Sequence, residues 1–202
     1  VSIVGQHVHF PKGITVESLR ISGDTYSDYL ISGTAVARGV SAPDLVELRN
    51  GIFLYAFDGG ATVEQAFFTV HLLHDIKPGS TPTFHVHWTH NNGTPSGDVK
   101  WQIDYTYAQG YEAGTFGAPV TVSTIQTAGA QYSHHITSDD DMAVSLTGME
   151  PDMLILCRIY RDPTDAADTF ADDAFLIQVD MHYQISQIGT PERNRPFGRY
   201  TS

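Results

Sequence analysis

The sequence predicts an all-β protein, a β-sandwich or jelly roll with extended N- and C-terminal arms. Three observations lead there. Short runs of β-branched and aromatic residues recur along the chain, several of them alternating apolar and polar side chains at the period of a half-buried strand. Clusters of Gly, Pro, Asn, Asp and Ser separate those runs. No long stretch carries the apolar spacing of an amphipathic helix, and roughly eight to ten strands can be counted, a number that suits two packed sheets. No internal repeat is visible, which argues against a solenoid or propeller.

Taken in order, residues 1–40 read as an N-terminal arm with the first strands. Gln6-His7-Val8-His9-Phe10 alternates and breaks at Pro11-Lys12-Gly13; Ile14 to Ile21 and Tyr29 to Val36 follow as strand-like runs. The sandwich proper is expected over 41–190. Leu45 to Leu48, Gly51 to Phe57 and Gln65 to Leu72 are its first strands. Phe84 to His90 then alternates without a break, with Phe84, Val86 and Trp88 on one face and His85, His87 and Thr89 on the other. A turn cluster, Asn91 to Asp98, leads to a second alternating run in which Val99, Trp101, Ile103, Tyr105 and Tyr107 share a face. The pair 84–90 and 99–107 is expected to form a β-hairpin.

Val120 to Ile125 is a further strand, and Asp139-Asp140-Asp141 a surface turn. Met153 to Tyr160 is apolar on both faces, the pattern of a strand buried in mid-sandwich. Asp162 to Asp173 reads as a solvated acidic loop. It leads into a strand whose core face is expected to be Phe175, Ile177, Val179, Met181, Tyr183 and Ile185, opposite Gln178, Asp180, His182 and Gln184. Residues 191–202 carry Arg193, Arg195 and Arg199 without periodicity, an extended arm whose arginines would clip onto a neighbouring subunit.

Composition narrows the function. The 202 residues are 41% hydrophobic and 11% aromatic, enough to build a core rather than a disordered chain. The formal charge of −12, with 11 Lys and Arg, argues against nucleic acid and anionic membranes as partners. No apolar run approaches the ~18 residues of a membrane span. The N-terminus lacks the basic and apolar regions of a secretion signal, although a chain with its leader removed would look the same. A lone cysteine, Cys157 in an apolar run, excludes an intrachain disulfide and is expected to be a buried, inert thiol.

Candidate chemistry is sparse. His85 and His87, at i and i+2 on one strand face and downstream of Gly79, echo half of the cupin metal motif, and two such imidazoles can share an ion. Asn91 and Asn92 stand where that motif wants a glutamate, and its second half is missing. Asp180 and His182 could complete a ligand set, but nothing in the sequence brings them near. The expectation is therefore a polar sheet face with no metal and no cofactor, meeting water or another subunit. Ser133-His134-His135 lacks a nucleophile elbow and reads as a strand end. The acidic loop lacks the glycine and terminal glutamate of an EF-hand. No phosphate-binding loop or dinucleotide fingerprint is present.

Residues 67–108 (FFTVHLLHDIKPGSTPTFHVHWTHNNGTPSGDVKWQIDYTYA) and 154–190 (LILCRIYRDPTDAADTFADDAFLIQVDMHYQISQIGT) resemble a group of tailed-bacteriophage virion proteins. The shared features are the His-x-His-Trp strand at 85–88, the Trp-x-x-x-Tyr strand at 101–105, the Cys-Arg-x-Tyr-Arg-Asp segment at 157–162 and the Asp-x-His-Tyr-Gln run at 180–184. Together the two segments span roughly two fifths of the chain. The resemblance implies a non-enzymatic, oligomeric jelly-roll protein, dimer or trimer, acting as a capsid cement or decoration protein on the phage head. Its partner would be the major capsid protein or another virion protein. The alternatives are a neck, tail or head-fibre base component contacting fibres or host glycans and, from another class, a cupin-like metal enzyme using His85 and His87.

Overall fold

The computed structural model describes residues 20–111, 113–138, 141–190 and 192–194. Among these residues eleven strands build two antiparallel sheets: β1 (Arg20–Ser32), β2 (Ala37–Arg38), β3 (Asp44–Arg49), β4 (Ile52–Phe57), β5 (Glu64–His71), β6 (Thr83–Thr89), β7 (Asp98–Ala108), β8 (Val120–Thr127), β9 (His135–Ile136), β10 (Leu154–Arg161) and β11 (Ala174–Gln187). The first sheet runs β3-β4-β11-β6-β9, with β1 also on β11; the second runs β2-β5-β10-β7-β8. The expected β-sandwich is what forms. Among the described residues no helix is long and apolar enough to cross a membrane. The strand expected at Gln6–Phe10, and nearly all of the run from Ile14 to Ile21, lie outside the described residues.

Apolar faces from the two sheets close on each other, as alternation requires. Trp88 and Trp101 are both fully buried and meet edge to face with centroids 6.3 Å apart; Phe57 caps Trp101 at 5.1 Å and Phe84 meets Tyr105 at 6.4 Å. The Trp88 indole N–H donates to Gln126 Oε1 at 2.7 Å, so its one polar atom is satisfied inside the core. Cys157 is buried on the inner row of β10, and burial pushes its thiol pKa well up, so the inert reading holds.

Four expectations need correcting. β6 and β7 are not a hairpin: β6 pairs with β11 and β9, while β7 pairs with β10 and β8. Their greasy faces meet across the sandwich rather than side by side. Alternation gives each strand a face but says nothing about which edge it bonds. The second correction concerns β11, where a bulge between Leu176 and Gln178 inverts the phase. Ala174 and Leu176 join Val179, Met181 and Tyr183 in the core, Ile177 is only half-buried, and Phe175 is buried apart from that cluster. The turn after β1 passes so close to this bulge that a Cβ on Gly33 would sit 2.5 Å from the Leu176 carbonyl oxygen.

The third correction is that β10 is central in its sheet yet not covered on both faces. Leu154 and Leu156 remain 38% and 41% exposed. Near them Phe67, Thr106, Pro119 and Leu156 line a groove of about 370 Å³ on the outside of the second sheet. The fourth is the acidic loop at 162–173, which is not simply solvated. Asp168 and Phe170 are buried, and backbone N–H groups of Thr169 and Phe170 donate to the Asp98 carbonyl at 2.8 and 2.9 Å.

That loop is held by Arg161, which occupies the inner row of β10 in phase with Ile155, Cys157 and Ile159 and is fully buried. Its Nε and Nη2 donate to the two oxygens of Asp168 at 2.9 and 2.7 Å. Nη1 donates to the carbonyls of Phe57 and Asp172, and Nη2 also to that of Phe170. Asp168 Oδ2 accepts a further bond from the Lys100 backbone N–H at 3.0 Å. Every guanidinium donor is therefore used, which is what a buried charge requires.

Candidate functional site

The outer face of the first sheet carries a cluster that is polar and yet partly buried. Three neighbouring strands supply it. On β6, His85 and His87 alternate with the core residues Phe84, Val86 and Trp88 and so point away from the sandwich interior. On β11 the antiparallel register sets Asp180 directly opposite His85, with Gln178 opposite His87 and His182 opposite Thr83. On β1, Asp28 lies opposite His182. The four residues singled out from sequence as candidate ligands, His85, His87, Asp180 and His182, are brought together, and register alone does it.

The distances are those of a tight cluster. Asp180 Oδ2 lies 3.1 Å from His87 Nε2, and Asp180 Oδ1 lies 3.7 Å from His85 Nδ1. His182 Nε2 is 2.9 Å from Asp28 Oδ1 and 3.8 Å from Asp180 Oδ2, and its ring meets that of His85 edge-on at 3.9 Å. His87 Nδ1 lies 2.8 Å from His134 Nε2, with the two rings stacked at 5.0 Å, so one protonated nitrogen donates to the other. The side chains of His85 and Asp180 are only 3% and 5% exposed. The expectation is a polar face meeting water or another subunit; the centre of the cluster is instead almost fully covered within the chain. Asp180 Oδ1 is buried and accepts no hydrogen bond among the described residues.

Among the described residues, two triads bring donor atoms close enough to hold an ion: His85, His87 and Asp180, and Asp28, Asp180 and His182. In each, one donor atom per residue lies within 4.8 Å of the others. Two members were not found from sequence. Asp28 sits in a run with no distinctive pattern, and His134 was visible only as part of Ser133-His134-His135. In that run His135 stacks on Trp88 at 4.5 Å and lies 3.0 Å from Ser133 Oγ. Burial, then the neighbouring His90 and His134, lower the pKa of His135.

The arginine arm is described only in part. Arg193 is exposed, and its carbonyl accepts from the Tyr111 hydroxyl at 3.4 Å; Arg195 and Arg199 lie outside the described residues.

The fold thus defines a two-sheet antiparallel sandwich with a His/Asp cluster on one outer face. No protein-family model matches the chain and no curated protein sequence matches it. Among solved structures, it is similar to a chain in the structure of the infectious bursal disease virus Gx strain, at 9% identity and a TM-score of 0.28. The superposition covers 93% of this chain and 46% of that one, so this chain spans about half of its neighbour's length. At that score the likeness carries no functional meaning.

Proposed function

We propose that this chain is a non-enzymatic structural protein of a virus particle, a cement or decoration protein that lies across joints between major capsid subunits of a tailed-phage head. The observation that carries the reading is the state of the sheet edges. β1 bonds β11 along one side and no strand along the other among the described residues, and its Tyr26 and Leu30 are 59% and 62% exposed. β8 closes the second sheet with Val120 and Ile125 each 51% exposed. Proteins that stay monomeric blunt such edges with lysine, proline or a covering loop. Unpaired edges with apolar side chains instead favour strand addition by a neighbouring subunit. The same edges make a homodimer or homotrimer the expected free form. The segments at 67–108 and 154–190 that resemble phage virion proteins supply the kind of neighbour.

The metal-enzyme reading has one observation in its favour, the convergence of Asp180 on His85 and His87. Against it stands access: a substrate must reach a metal ion, and two of the three side chains are almost fully covered. The cluster also faces outward, opposite Phe84 and Val86, and not into the interior of the sandwich.

Copy number in purified particles tests the proposal. A cement protein is expected on the order of hundreds of copies per particle, in register with the symmetry of the shell. Re-addition of the purified chain to depleted heads should restore their resistance to heat. Presence at only about a dozen copies would move the protein to the neck or a fibre base, and absence from particles would remove the proposal altogether.

A further inference from the structure

We propose that His85, His87 and Asp180 bind one divalent transition-metal ion of the zinc type on the outer face of the first sheet. An ion held tetrahedrally at about 2.1 Å from each donor leaves the donors about 3.4 Å apart. The separations found, 3.1 Å from Asp180 Oδ2 to His87 Nε2 and 3.7 Å from Asp180 Oδ1 to His85 Nδ1, lie on either side of that value through the two carboxylate oxygens, and one donor atom from each of the three residues lies within 4.8 Å of the others.

Burial points the same way. A carboxylate taken out of water needs its lone pairs engaged. Asp180 is 3% exposed, and among the described residues its Oδ1 meets His85 at 3.7 Å, which is too long for a hydrogen bond, and accepts none. A cation between the imidazoles and the carboxylate would engage that Asp180 oxygen. Support for the ligands is also in place. His87 Nδ1 is bonded to His134 Nε2; with the proton on Nδ1, His134 accepts it and the Nε2 lone pair of His87 faces Asp180. His182, tied to Asp28 at 2.9 Å, packs edge-on against His85 and fixes its ring plane. Two imidazoles and one carboxylate suit zinc and its neighbours rather than calcium or magnesium, which prefer all-oxygen shells. Three protein ligands leave a fourth position for a water molecule.

The test uses the full chain, stripped with chelator and dialysed against Zn²⁺, with Ca²⁺ and Mg²⁺ as controls. One zinc per chain is expected, with Asp180→Asn and His87→Gln each weakening binding at least about 100-fold and His134→Ala about tenfold. X-ray absorption on the unsubstituted zinc-loaded chain should show two imidazole nitrogens and one or two oxygens, a readout that does not depend on any variant folding. Uptake below a tenth of an equivalent (~0.1 zinc per chain), uptake unchanged in both Asp180→Asn and His87→Gln, or a first shell without two imidazoles would each overturn the assignment.

Discussion

Asp168 and Asp180 are both buried carboxylates on the same sandwich, and their surroundings differ in kind. Asp168 faces a guanidinium whose fork meets both its oxygens, and a backbone N–H fills a further lone pair. Asp180 faces imidazoles: one within hydrogen-bond reach, two others at 3.7 and 3.8 Å, and one oxygen that accepts no hydrogen bond among the described residues. The first is a finished interaction that fastens the 162–173 loop over the end of the core. The second has spare coordinating capacity. Burial of a carboxylate therefore does not by itself mark a site; the completeness of its hydrogen bonding separates a clasp from a ligand.

The largest effect expected from that contrast is on the clasp. Arg161→Met strands the buried Asp168 charge and should cost about 3–5 kcal/mol in urea denaturation. Arg161→Met with Asp168→Leu should recover most of the loss, because the pair itself contributes little over apolar residues of similar volume. A single substitution that costs less than about 1 kcal/mol would mean the loop is not held this way. Asp180→Asn should behave differently. In metal-free buffer the amide still accepts from His87, and a change within about 1 kcal/mol is expected. A loss as large as that of Arg161→Met would make Asp180 a clasp as well.

The smallest effect concerns pH around the cluster. Burial, with His90 and His134 beside it, depresses the pKa of His135 from its ordinary value of 6.5. The unfolded chain then binds the proton more readily than the folded one. Stability from this residue is full above about 6.5 and is lost as pH falls through the lower folded value. His135→Gln should flatten that acid limb, measured as the denaturation midpoint against pH. An unchanged limb would show that His135 stays solvated in both states.

Much of the fold was legible because alternation is a local signal. The runs through Phe84–His90, Val99–Tyr107 and Val179–Ile185 each showed which residues face the core, and Trp88 and Trp101 are indeed fully buried. Pairing is not legible, since a face does not name an edge: β6 and β7 read as one hairpin and lie in opposite sheets. The bulge at Ile177 leaves no compositional trace, so Phe175 and Ile177 fell on the wrong row. In the cluster, His85 and His87 stood out as a pair on one strand, and Asp180 and His182 as a pair on another. Only register joins them. Arg161 did carry a readable signal: an arginine in phase with Ile155, Cys157 and Ile159 is pointed inward and must find an acid. The nearby aspartates offer one, but a charge-rich segment reads by default as a solvated loop.

The most direct test of the contrast is thermal melting of the unsubstituted chain, Asp168→Asn and Asp180→Asn, each stripped and then with saturating Zn²⁺. The expected result is a zinc-dependent rise in Tm for the unsubstituted chain and for Asp168→Asn, the latter starting several degrees lower, and no rise for Asp180→Asn. A rise of equal size in Asp180→Asn, or none in the unsubstituted chain, would contradict the account of Asp180 as a ligand.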